Sequence, residues 1–155
     1  MNRERVQALL EHLSNLPDEK FYYPAYFKRM DRRQLVGQSE LVQMAAISNL
    51  PPPCNTAGCV AGCCALLFWE DYCKEFKSQS ITNENNVDFY LPPDDFAGPF
   101  LGLHEADQNR LFMAAMTEAN RQDAINRLEH LLAHETLKSY DWSSESYVTK
   151  TGVTP

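Results

Sequence analysis

The chain has 155 residues and a formal net charge of -7 at pH 7, with 21 acidic against 14 basic side chains. That length suits one domain able to bury a core without metal or disulfide support. The acidic balance speaks against a general nucleic-acid binder, which needs clustered Lys and Arg, and favours solubility or a basic protein partner.

The amino-terminal Asn2-Arg3-Glu4-Arg5 leads into a charged amphipathic pattern and not into an apolar leader. Val6, Leu9, Leu10, Leu13 and Leu16 form an i, i+3, i+4, i+7 stripe, which predicts a helix over residues 2–16 stopped by Pro17. Phe21 to Phe27 is aromatic-rich and broken by Pro24, expected as an irregular link or a short helix after Pro24 that drops rings onto the core. Lys28, Arg29, Arg32 and Arg33 then form a small basic cluster, expected as a solvated turn. Residues 35–50, with Leu41, Val42, Met44, Ala45, Ala46 and Ile47, fit a helix after Ser39 or a strand, since period alone does not decide them, and a short helix or irregular stretch is preferred.

Pro51, Pro52 and Pro53 hold the chain extended and delay any helix until they are passed. A helix is therefore predicted from Cys54 to Thr56 onward, capped by Asn55 or Thr56. Ala57 to Trp69 is apolar or tiny throughout, so this helix must be buried on all sides. Gly58 with Gly62, and Ala57 with Ala61 and Ala65, put small residues one turn apart, which lets neighbouring backbones approach. The apolar run is too short for a bilayer, which needs about 20 residues. Polar residues from Glu70 onward carry the helix to about Phe76, and residues 78–87 are expected as a loop. Phe89 to Pro99 looks like an ordered, turn-rich connector.

His104 and Glu105 start a helix with Ala106, Leu111, Phe112 and Met113 on its buried side. Thr117 is expected to cap the next, residues 118–135, with the stripe Ala124, Ile125, Leu128, Leu131 and Leu132, and the two form a helical hairpin. His130 and His134 lie one turn apart on its solvated edge. Residues 138–155 form a tail that only Tyr140, Trp142, Tyr147 and Val148 can hold down.

The block Cys54-Asn55-Thr56-Ala57-Gly58-Cys59-Val60-Ala61-Gly62 is followed about 40 residues later by Leu101-Gly102-Leu103, Leu111-Phe112 and a Thr-led final helix. In this it resembles a family of small uncharacterised phage and bacterial proteins. Their members carry a Cys-Gly-Thr-x-x-Cys-x-Ala-Gly block and a later Leu-Gly-Leu block ending in Leu-Phe; here Asn55 stands where the family usually has Gly. The resemblance implies a compact, mainly helical domain and a phage or mobile-element origin, with no established activity.

Five cysteines, an odd number, point to free thiols of a cytoplasmic protein more than to a disulfide framework. Three readings compete. As a catalytic set, Cys54 at a helix start would be the nucleophile of a hydrolase or transferase, with His104 or His12 as base. As a metal site, Cys54, Cys59 and Cys63 are the candidates, although their spacing lacks the close ligand pair typical of zinc. As small hydrophobes, the thiols simply fill space between closely packed helices. The third is preferred, so no cofactor is predicted. The expectation is thus a mainly α fold, one domain over residues 1–137 with about five helices around a buried central one. The function expected with it is a non-enzymatic protein-interaction factor with an acidic surface, an accessory protein of the anti-defence or host-modulating kind.

Overall fold

The computed structural model describes residues 1–21, 28–29, 45–46, 56–82, 91–112 and 119–146. It is mainly helical, as the sequence predicts. Helix α1, Arg3–Asn15, begins at Asn2, whose side chain accepts from the Arg5 amide, and ends at Leu16 ahead of Pro17. Its stripe sets Val6, Leu9 and Leu13 fully into the core, each contributing about 1.5–3 kcal/mol of apolar burial.

Lys28–Arg29 (β1) pairs antiparallel with Thr56–Ala57 (β2), and Gly58 bridges to Phe21. This ladder corrects two expectations. The basic cluster begins in a strand and not in a turn, and the cysteine helix starts later than predicted, because residues 56–58 use their backbone groups across the ladder. Helix α2 spans Val60–Leu67, with Cys59 in extended conformation as its cap. It buries Val60 to Ala65 and packs against α1 and three further helices, so it is central as expected.

At Phe68 the backbone leaves the helical region, and α3, Trp69–Thr82, starts afresh. The one long helix predicted here is therefore two, and the second runs beyond Phe76 through part of the expected 78–87 loop; residues 83–87 lie outside the described residues. The Phe68 ring turns onto Phe100, centroids 4.8 Å apart.

The predicted connector is partly a helix, α4, Pro93–Phe100. Pro93 occupies the first helical position, where its missing donor costs nothing. Pro99 falls in the last turn. Phe96, Phe100 and Tyr72 form an aromatic cluster, with the Arg5 guanidinium 3.8 Å over the Phe100 ring. The buried Tyr72 hydroxyl donates to the Leu91 carbonyl at 2.7 Å.

Helix α5, Glu105–Phe112, buries Leu111 as expected, but Ala106 is exposed and Asp107 takes the buried place. The reason is the carboxylate's partners, the Leu137 amide at 2.9 Å and the Thr136 hydroxyl at 3.1 Å. Helix α6, Arg121–His134, is capped by Asn120 in a full capping box with Asp123, three residues past the predicted Thr117. It packs chiefly along α1 and not as a hairpin with α5. After it, Leu137, Tyr140 and Glu145 are all buried, so residues 137–146 belong to the packed body and not to a tail beginning at 138. No helix among the described residues is long and apolar enough to cross a membrane.

Candidate functional site

The described thiols of α2 lie in the core. Cys59 Sγ accepts from the Gly62 amide at 3.5 Å, and the Cys63 thiol donates to the Gly58 carbonyl at 3.4 Å. A helix start ordinarily favours a thiolate, so Cys59 sits where activation is possible. Burial decides otherwise: it pushes the Cys59 thiol up to about 11, against the downward pull of the Gly62 and Ala61 amides. Desolvation raises Cys63 and Cys64 further, the latter despite the nearby Arg5, and it also raises Cys73. All four are free and buried. They are protonated at neutral pH and act as small hydrophobes.

Cys54 lies outside the described residues. His104 is exposed in the turn before α5, its carbonyl accepting from Gln108. His12 is half-buried on α1, and desolvation lowers its pKa, which keeps the ring neutral near pH 7. The His130 and His134 rings lie tilted with centroids 4.3 Å apart, but only His134 is a solvated edge. His130 lies half-buried against the Tyr140 ring with Ser139 Oγ 3.1 Å from its Nε2; burial, then the neighbouring His134, lowers its pKa. Among the described residues no three His, Cys, Asp or Glu side chains gather as a metal ion requires. Cys59 and Cys63 thus share a helix face, but each sulfur is already engaged with the backbone.

A concave feature lies on α1. Ala8, Glu11, His12, Asn15 and Leu16, with Leu67 from the end of α2, line an open groove of about 450 Å³. Leu67 enters it because α2 ends there and exposes the side chain partly. The exposed Glu11 carboxylate on the groove accepts from Gln7 at 3.3 Å. The groove offers apolar walls, a carboxylate and a neutral imidazole, a combination suited to holding an apolar side chain beside a cation.

No protein-family model matches the chain, and no curated protein or solved structure is significantly similar to it.

Sequence reasoning missed the most concentrated polar cluster. Arg127 and Glu145 are fully buried, the Arg127 Nε donating to Glu145 Oε1 at 2.5 Å, and Asp123 is 2 % exposed beside them. Two signals announce it. Asn120 and Asp123 have capping-box spacing, and Arg127 falls within the apolar stripe Ala124, Leu128, Leu131, where an arginine needs a buried partner.

Proposed function

We propose that this is a non-enzymatic interaction factor whose acidic surface takes a basic protein partner, an accessory protein of the phage or mobile-element kind its cysteine block resembles. The observation that carries the reading is the α1 groove, where Ala8, Leu16 and Leu67 stand beside Glu11 on a chain of net charge -7. An apolar side chain of the partner seats between the leucines while a neighbouring Lys or Arg meets Glu11. Electrostatic complementarity of this sort raises the association rate and makes binding sensitive to salt.

The test compares the wild-type protein with Glu11→Lys as bait in lysate of its host cell. Glu11 is exposed, so the substitution leaves the core untouched. The expected result is a basic protein held by wild type at physiological salt, released by higher salt and lost by at least tenfold on Glu11→Lys. Recovery of no specific partner, or of one that both baits hold equally, overturns the proposal.

A further inference from the structure

Residues 136–146 are strapped back across the molecule by two buried aspartates. Asp107 of α5 takes Thr136 and Leu137 at one end, and Asp123 of α6 takes Ser146 at the other, its amide at 2.9 Å and its hydroxyl at 2.5 Å. Between them Glu145 reaches Arg127, whose guanidinium also lies 5.0 Å from the Trp142 ring centroid. Among the described residues, the ionisable groups around Glu145 are Arg127 and Asp123 on α6 and the phenol of Tyr140.

Among the described residues the charges of this cluster do not cancel: two carboxyl groups share one guanidinium, and Asp123, Arg127 and Glu145 are each at most 2 % exposed. Asp123 is committed as an anion, because it accepts the Asn120 amide of the capping box as well as both Ser146 donors. Among the described residues Glu145 Oε1 accepts from Arg127 while its buried Oε2 meets no donor, and the Asp123 carboxylate lies against the same side chain. Two carboxyl groups buried around one guanidinium lie lowest in energy when one of them carries a proton. That proton belongs to Glu145.

We propose that residues 136–146 form a proton-locked latch, closed on α6 while Glu145 is protonated and loosened when Glu145 ionises beside Asp123. Burial raises the Glu145 carboxyl from 4.5 to about 7, despite the attraction of Arg127. Burial also works to raise Asp123, but the hydrogen bonds from Glu145, Ser146 and Asn120 outweigh it and hold that carboxyl low. A carboxyl raised in the closed form favours closure fully below its ordinary value. The advantage is lost as pH rises through the raised value, so the latch weakens between pH 4.5 and about 7 and levels off above. His130, against Tyr140, works in the opposite sense, since its lowered pKa makes acid the loosening condition there.

The experiment is amide exchange on the full chain, read as the protection factor of Ser146 after correction for the intrinsic pH dependence of exchange. Wild-type protection is expected to fall by ~tenfold or more from pH 4.5 to pH 7. Glu145→Gln keeps the shape and the donor to Asp123 without titrating, so its protection is expected to stay level or rise with pH. A level wild-type profile, or the same fall in Glu145→Gln, overturns the latch. Should that variant not fold, the carboxyl carbon of Glu145 in labelled wild-type protein gives the answer by NMR. A midpoint near 7 supports the proposal, and one at 4.5 or below overturns it.

Discussion

Gly102 shows how a short sequence block acquires a physical meaning. Its φ of +69° lies in the left-handed region, just past the end of α4. The Gly102 amide donates to the Pro99 carbonyl at 3.0 Å and the Leu103 amide to the Gly98 carbonyl at 3.1 Å, the paired bonds of a Schellman cap. Leu101 and Leu103 are buried on either side, and the Leu101 carbonyl accepts from the Asn2 amide. The Leu-Gly-Leu block is thus a helix stop that also docks the start of α1. A Cβ at Gly102 would stand 3.0 Å from the Asn2 nitrogen and 3.2 Å from Met1 Cα, both backbone atoms. Gly102→Ala is therefore expected to cost about 1–2 kcal/mol, read as a drop of roughly 2–8 °C in Tm. An unchanged melting temperature would refute this role.

At the scale of elements, α6 is coupled to the chain that follows it through buried polar side chains. Arg127 sits in its buried stripe and ties the helix to residues 141–146, while Asp123 serves both the capping box and Ser146. Removing the guanidinium alone leaves Glu145 and Asp123 facing each other in the core. Arg127→Met is expected to cost about 3–5 kcal/mol in denaturant melts, because it leaves the Asp123 carboxylate buried with no cation beside it. An Arg127→Met protein as stable as the wild type would contradict the coupling.

The elements also show what sequence can reveal. The α1 stripe and its stop at Pro17 were legible because the pattern is local. The start of α2 was not, since β2 pairs with residues 28–29 and Cys59 is an unusual cap. The break at Phe68 has neither Pro nor Gly to announce it; the Phe68 and Phe100 rings meet across it. Helix α4 was hidden by its prolines, read as turn formers although Pro93 starts the helix and Pro99 falls only in its last turn. Burial of Glu145 depends on Arg127, 18 residues away, a separation no local period reports.

For the molecule as a whole, the organising feature is α2, with Val60 to Ala65 buried and other helices closed around it. Small side chains at Ala61, Gly62, Cys63 and Ala65 allow that approach, and the thiols supply volume between them. The sequence made this centre legible because a helix apolar on every face has nowhere else to go. It left open what the thiols do, since a cysteine at a helix start suits catalysis and packing equally well. Burial settles the four described thiols, as desolvation exceeds the pull of the helix amides at Cys59. The measurement that tests this most directly is iodoacetamide labelling of the native protein at neutral pH, with each cysteine read by peptide mass spectrometry. Cys59, Cys63, Cys64 and Cys73 are expected to stay unmodified until denaturant opens the fold and then to label together; rapid native labelling of Cys59 or Cys63 would contradict the account.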